Sequence, residues 1–179
     1  FLIGMLILVP PAYVAQGMND FLYGNSAVGA SEGTKVYEDD AVITEKFGRS
    51  NMLLAMYPNT SPVEEKRMTD EIEALPYVKS VTSMAGMLPQ GIPEEFLPYS
   101  MTSELHTRDY CRMLIFIRTK SESEKAFQYT DEIRDIMKAH YPQDSYLVGE
   151  TPSTQDIKTT ITADNSRVNM LSMLGVFLV

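Results

Sequence analysis

Residues 111–118, with the sequence CRMLIFIR, form the clearest predicted strand of the chain. The continuous apolar core of this stretch is typical of a strand buried in a sheet. Residues 121–124, SESE, follow as a capping box and predict the start of a helix. That helix presents five side chains on one face: Tyr129, Ile133, Ile136, Met137 and His140. A turn at residues 142–144 and an apolar stretch at residues 146–148 complete a predicted strand–helix–strand unit.

The preceding part of the chain repeats this unit at a similar length. Residues 51–57, NMLLAMY, predict a buried strand, and residues 61–64, SPVE, form a second capping box with proline at the first helical position. The helix behind that box stops at Pro76 and turns three side chains inward: Met68, Ile72 and Leu75. Residues 78–84 predict a weaker strand. Two such units predict an α+β fold of the ferredoxin-like split βαβ (βαββαβ) type, with helices on one face of a four-stranded antiparallel sheet.

Residues 85–110 form an insertion between the two units, because three prolines interrupt any regular period there. Within it, residues 94–105 are compatible with a helix. Apolar, flexible or aromatic side chains in and beside the insertion form a candidate substrate-facing surface: Met84, Met87, Leu88, Ile92, Phe96, Leu97, Tyr99 and Met101. Methionine-rich surfaces adapt to varied apolar ligands. The alternative is that these side chains plug one side of the sheet, and the two roles are compatible if the plug also lines a cleft.

Both ends of the chain are apolar. Residues 149–179, GETPSTQDIKTTITADNSRVNMLSMLGVFLV, predict one helix of roughly 28 residues, capped by Thr151, whose second half is apolar all round. Residues 1–9, FLIGMLILV, mirror it at the other end. Each apolar run is about half of the ~20 residues that a membrane span requires. We therefore expect two truncated transmembrane helices with a folded loop between them.

This interpretation divides the chain into four parts. Residues 1–16 are the end of a transmembrane helix, and residues 17–33 are a linker rich in Gly, Asn and Ser. Residues 34–150 are an extracytoplasmic domain, and residues 151–179 are an amphipathic helix running into the next transmembrane helix. The first basic residue is Lys35, which suits the extracytoplasmic side of a cell membrane under the positive-inside rule.

Two other interpretations of the chain ends stay open at this point. The N-terminal apolar run has the length of a secretory signal, although it lacks the basic residues that precede the apolar core of one. A soluble domain whose two apolar terminal helices pack together is the other alternative.

Composition argues against several classes of function. The net charge of -9 argues against a nucleic-acid surface, which is basic, and the single cysteine excludes an internal disulfide. Neither His106 nor His140 has a Cys or His at zinc-ligand spacing, so we expect no metal site and no cofactor. His106 and Cys111 are the nearest approach to a catalytic pair, but an extended segment is expected to spread their side chains apart. We therefore expect that the chain is not an enzyme.

Two short patterns carry a resemblance to a known family. One is NDFLYGNS at residues 19–26, and the other is the closing pattern G-E-x-x-S-T-x-D…T-x-T-A-D-x-x-x-V-N. The closing pattern is formed by Gly149, Glu150, Ser153, Thr154, Asp156, Thr160, Thr162, Ala163, Asp164, Val168 and Asn169. With the βαββαβ pattern between them, these patterns make nearly the whole chain resemble an extracytoplasmic loop of resistance-nodulation-division (RND) exporters of the MMPL-like branch. The FLYG sequence at residues 21–24 favours the second of the two large loops of such proteins.

The resemblance implies a porter domain of a multi-pass, proton-driven transporter. Its partners would be a second porter domain, the transmembrane bundle, membrane lipids and a lipidic or amphiphilic substrate that is exported. Proton-coupling acidic residues of that family lie in transmembrane helices outside this sequence. A tilting membrane helix would then move the domain as a rigid body. We place a candidate hinge at Ala163, Asp164, Asn165 and Ser166, because Asp, Asn and Ser are indifferent helix formers.

A rival interpretation comes from another class of protein. A ferredoxin-like module between two membrane spans also suits a ligand-sensing or assembly domain, in a two-span sensor or an ABC-type permease. The flanking sequence discriminates between them, because an RND exporter continues into several more spans with buried acidic residues. A sensor continues into a cytoplasmic signalling domain instead.

Overall fold

A computed structural model describes residues 32–88 and 98–178, together with residues 7, 10, 11 and 96. Four strands form one sheet: β1 Asn51–Pro58, β2 Val78–Thr82, β3 Tyr110–Ile117 and β4 Tyr146–Gly149. The strand order is β2-β3-β1-β4, and every neighbouring pair is antiparallel. The α+β class and the four-stranded antiparallel sheet are therefore as predicted, and the arrangement is consistent with a ferredoxin-like domain.

Six helices accompany the sheet in the described residues. They are α1 Lys35–Phe47, α2 Pro62–Glu73, α3 Met84–Met87, α4 Tyr99–Leu105, α5 Glu124–His140 and α6 Glu150–Leu178. The predicted insertion contains α4 and most of α3, and α4 begins later than the compatible stretch at residues 94–105. Residues 89–95 and 97 lie outside the described residues, as do the predicted linker up to residue 31 and most of residues 1–16.

The start of α2 follows the predicted capping box, whereas the starts of α5 and α6 differ from prediction. The Ser61 hydroxyl accepts the amide hydrogen of Glu64 at the start of α2. In α5 the cap is Ser123, which accepts from Ala126, rather than Ser121. Helix α6 begins directly after β4, so Thr151 lies inside it and is not its cap. The Thr151 hydroxyl is instead bonded to Asn51 and to the carbonyl of Ser121.

The hydrophobic core lies between one face of the sheet and the helices α2 and α5. Alternate residues of β1 and β3 point into it, as the two-residue period of a strand requires. The helices contribute Met68 and Ile72 from α2 and Ile133 and Met137 from α5. All four helical positions were predicted to face inward, so the 3.6-residue period located this core face from sequence.

The opposite face of the sheet is apolar and largely uncovered. We call it the open sheet face, and it consists of Met52, Leu54, Met56, Leu114, Phe116, Tyr146 and Val148. Four of these seven side chains are exposed and three are half-buried. The side chains of α6 from Thr159 to Gly175 are also mostly exposed, so they do not cover this face. In the described part of the insertion, Glu104 pairs with Arg112 of β3, which alternates onto this face.

Helix α6 spans 29 residues without a break, close to the predicted length. Its start is bonded to the domain, and its side chains from Thr159 to Gly175 are mostly exposed. Among the described residues, no helix combines the length and apolarity needed to cross a membrane.

Candidate functional site

The residues of the predicted substrate-facing surface differ in how far their side chains are exposed. Met84 is buried with only 1% of its surface exposed, so it belongs to the core and does not face a substrate. Phe96 and Tyr99 are 78% and 83% exposed, while Met87 and Leu88 are partly exposed. Ile92, Leu97 and the side chain of Met101 lie outside the described part of the chain. The exposed members Met87, Leu88, Phe96 and Tyr99 are called the insertion surface below.

The four candidate hinge residues lie in the middle of α6. Ala163, Asp164, Asn165 and Ser166 are all exposed and helical. Ala163 and Ser166 line an open groove of about 590 Å³ between α5 and α6. The groove leaves space beside this part of α6, so the helix is not packed against the domain there.

A buried cluster of Glu65, His106 and Cys111 was not predicted from sequence. His106 and Cys111 pair as an isolated antiparallel bridge, and the intervening loop reverses the chain. The expectation that these two side chains spread apart is therefore wrong, because the segment is a tight hairpin rather than one extended strand. Glu65 reaches the pair from the first turn of α2. One donor atom from each of the three residues lies within 4.8 Å of the others.

The hairpin that carries His106 and Cys111 is fixed by backbone contacts. The Thr107 amide donates to the Tyr110 carbonyl at 2.8 Å, and the Thr107 hydroxyl bridges the same turn. Asn59 follows β1; its backbone amide donates to the Asp109 carbonyl, and its side-chain amide donates to the Thr107 carbonyl. The loop is thus tied to the end of β1, which sets the relative position of the two donor residues.

Glu65 is held in place by two different partners. Its Oε1 accepts the backbone amide hydrogen of Ala85 at 3.2 Å, and its Oε2 lies 3.1 Å from His106 Nε2. The side chains of Glu65 and His106 are only 2% and 10% exposed. A carboxylate so deeply buried requires a compensating charge, and His106 supplies it.

The surroundings of the cluster shift the pKa values of its three side chains. Hydrogen bonds to Cys111 and Glu65 raise the pKa of His106 to about 10. Burial acts to raise the pKa of Glu65, but the hydrogen bonds from His106 and Ala85 outweigh it and the pKa is lowered. Burial raises the pKa of the Cys111 thiol. Glu65 and His106 therefore stabilise each other as an ion pair, while burial disfavours the thiolate form of Cys111.

The hydroxyl of Tyr57 faces the same cluster from β1. Its side chain is fully buried, and the oxygen makes no hydrogen bond of ordinary geometry within the described residues. Burial and the carboxylate of Glu65 both raise the pKa of this hydroxyl. Tyr57 also stacks on Tyr141, with ring centroids 5.1 Å apart, so the ring is held in position.

A second histidine joins two helices on the other side of α2. His140 Nδ1 lies 2.6 Å from Glu64, and its Nε2 lies 2.8 Å from Glu71. Burial acts to lower the pKa of His140, but the hydrogen bonds to Glu71 and Glu64 outweigh it, so the pKa is raised. This clamp joins the end of α5 to α2 and has no cysteine.

A sequence signal for the hairpin was present but weak. Turn-forming residues separate His106 and Cys111, and such a segment reverses the chain more readily than it extends it. No sequence signal pointed to Glu65, because it is 41 residues from His106 and meets it only in the folded domain.

No model of a known protein family matches this chain, and no curated protein sequence matches it.

Proposed function

We propose that the chain is an extracytoplasmic porter domain of an RND, MMPL-like exporter of lipidic or amphiphilic substrates. Helix α6 would move the domain as a rigid body. One observation carries this proposal: α6 is tied into the domain at its first residues and then continues as an exposed, unbroken helix. The resemblance of the closing sequence pattern to that family supports the same function.

The anchored part of α6 contacts both the sheet and α5. The Asn51 side-chain amide of β1 donates to the Thr151 hydroxyl at 2.6 Å, and that hydroxyl donates to the Ser121 carbonyl at 2.6 Å. Gln155 donates to Asp131 of α5 at 2.9 Å. Lys158 pairs with Glu124 and lies 5.2 Å above the ring of Phe127. A force applied to α6 is therefore passed to the whole domain.

The free part of α6 exposes apolar side chains that suit an apolar environment. Its last described turns expose Val168, Met170, Leu171, Met173 and Leu174. From Thr159 to Leu178 the helix is about 30 Å long at 1.5 Å per residue. In the proposed transporter this segment leads into the next membrane helix, and its tilt displaces the domain.

The domain also offers two apolar surfaces for its partners. In our proposal the insertion surface contacts the lipidic substrate, because its aromatic side chains are exposed and its methionine is adaptable. The open sheet face contacts the rest of the transporter, either the second porter domain or the transmembrane bundle. Exposed apolar patches of this kind mark interaction sites in folded proteins.

The hinge in α6 is tested in the full-length transporter. Replacing Asp164, Asn165 and Ser166 with alanine stiffens the helix, because alanine has the highest helix propensity. We expect export to fall while the domain keeps its unfolding transition. Alanine at Asp135 and Lys138, which are exposed on α5, serves as the matched control and retains export. Undiminished export by the stiffened variant would contradict a hinge at this position.

A further inference from the structure

We propose that Glu65, His106 and Cys111 form a binding site for one Zn²⁺ ion, which fixes the insertion to the domain. The proposal concerns the buried cluster alone and does not depend on a transport function. It rests on the donor set, on the distances between donors, on the three elements that supply them and on the position of Tyr57.

The donor set suits zinc. Thiolate sulfur, imidazole nitrogen and carboxylate oxygen are the ligands that Zn²⁺ takes in proteins. In a tetrahedral site with metal–ligand distances of about 2.0–2.3 Å, donor atoms stand roughly 3.2–3.8 Å apart. The donors of the cluster lie within 4.8 Å of one another, and His106 and Glu65 are 3.1 Å apart. Small side-chain rotations therefore bring all three into the first coordination shell.

Each donor comes from a different part of the fold. Glu65 lies on α2, His106 follows the end of α4, and Cys111 lies on β3. The His106 amide donates to the Thr102 carbonyl at 2.7 Å, so its backbone is fixed to α4. A bound ion would join these three elements at one point and hold the end of the insertion against the core.

The ligand set also balances the charge of the ion. A carboxylate, a neutral imidazole and a thiolate are the forms that bind Zn²⁺, and any proton that His106 or Cys111 holds beforehand passes to solvent. Zn²⁺ with one carboxylate and one thiolate has no net charge, so burial of the ion adds no uncompensated charge to the interior.

Tyr57 supplies the candidate for the fourth coordination position. Its hydroxyl is fully buried close to Glu65 and Cys111, and it makes no hydrogen bond of ordinary geometry in the part of the chain described. A phenol oxygen in that position has a lone pair available to a metal ion. In the zinc-bound state, this oxygen completes a tetrahedral set.

The test uses the full chain, freed of metal by a chelator and kept reduced. Cobalt(II) serves as the probe because its absorption reports both thiolate ligation and tetrahedral geometry. We expect one equivalent of Co²⁺ per chain, a thiolate charge-transfer band, and loss of that band when Zn²⁺ is added. Zn²⁺ is also expected to raise the thermal midpoint, because a ligand that binds only the folded state stabilises it.

Variants separate this site from general metal binding. Cys111→Ser is expected to abolish the charge-transfer band, and Tyr57→Phe to weaken Zn²⁺ binding about tenfold. His140→Gln is the matched control, since it removes a histidine that also contacts two carboxylates, and it should leave the band unchanged. His106→Cys adds a second thiolate and should strengthen the band.

Three results would overturn the proposal. The first is the absence of a charge-transfer band in the folded wild-type chain. The second is a band that persists in a folded Cys111→Ser variant. If Cys111→Ser does not fold, His106→Cys decides the matter, because an unchanged band in that variant means that Co²⁺ is bound elsewhere.

Discussion

At the scale of single residues, the buried charge of Glu65 has the clearest energetic consequence. It is the only acidic residue that is buried among those the structure describes. Its two oxygens are engaged by the Ala85 amide and by His106, so the interior tolerates the carboxylate only as part of this arrangement. The cluster therefore acts on stability whether or not it also binds a metal.

Replacement of Glu65 by alanine should destabilise the domain strongly. The change leaves His106 and the Ala85 amide without their buried partner, and losing one member of a buried ion pair costs about 3 kcal/mol or more. Urea unfolding of the metal-free chain measures the loss. Glu73→Ala, at an exposed position of the same helix, should change the free energy of unfolding by no more than about 0.5 kcal/mol. Equal effects of the two substitutions would contradict the assigned role of Glu65.

The His140 clamp predicts a pH-dependent stability. Its pKa is raised above the usual 6.5, so its stabilising contribution is complete below that pH and is lost as the pH rises through the folded-state pKa. We expect His140→Gln to cost about 1–2 kcal/mol near pH 6 and progressively less at higher pH. Unfolding curves of both proteins across this range measure the difference. A difference that grows with pH would show that the sign is wrong.

At the scale of elements, the junction between β4 and α6 depends on Gly149. Its φ of 152° is a conformation that other residues rarely adopt, and an added Cβ would lie 2.9 Å from the Met52 carbonyl oxygen. The strand therefore passes directly into the helix only because the residue is glycine. This junction determines where α6 begins and the direction in which it leaves the domain.

Gly149→Ala should therefore destabilise the domain by about 1–3 kcal/mol. The matched control is Gly175→Ala in α6, where an added Cβ meets no atom within 4 Å. That control should be neutral or stabilising by up to about 1 kcal/mol, since alanine favours a helix more than glycine does. The two free energies of unfolding give the comparison, and a neutral Gly149→Ala would refute the proposed close approach.

Local sequence patterns predicted most of the strands and helices, because these elements depend on residues that are close together in the chain. The Ser61 cap, the apolar strand at residues 111–118 and the inward helix faces depend on near neighbours in the chain, which a sequence displays directly. The cluster of Glu65, His106 and Cys111 depends on a hairpin and on a helix 41 residues away from His106. Such a site becomes apparent only when tertiary structure brings its members together. The prediction that Ser121 caps α5 is wrong for a similar reason. The carbonyl of a cap residue accepts the first hydrogen bond of its helix, whereas the Ser121 carbonyl accepts from the Thr151 hydroxyl, 30 residues away.

At the scale of the whole molecule, we propose different contacts for the two apolar surfaces, substrate at the insertion surface and the rest of the transporter at the open sheet face. Lipid binding tests this assignment. Native mass spectrometry after incubation with a mixed lipid extract should show retained lipid on the wild-type chain. Phe96→Gln with Tyr99→Ser should reduce it, because both side chains are exposed on the insertion surface. Met52→Gln with Val148→Thr, on the open sheet face, is the matched control. If only the control pair reduced the amount of retained lipid, the open sheet face rather than the insertion surface would contact the substrate.

In the transporter that we propose, α6 transmits movement between a membrane helix and the domain. Thr160 is exposed and follows the anchored residues, so a break there leaves the contacts of Thr151, Gln155 and Lys158 intact. Proline at this position removes a helix hydrogen bond and kinks or breaks the helix. The decisive measurement is export by the proposed full-length transporter carrying Thr160→Pro, beside Thr160→Ala as control. We predict that the proline variant loses export while its domain unfolds as in the wild type, and that the alanine variant exports normally. Normal export by a folded proline variant would contradict the claim.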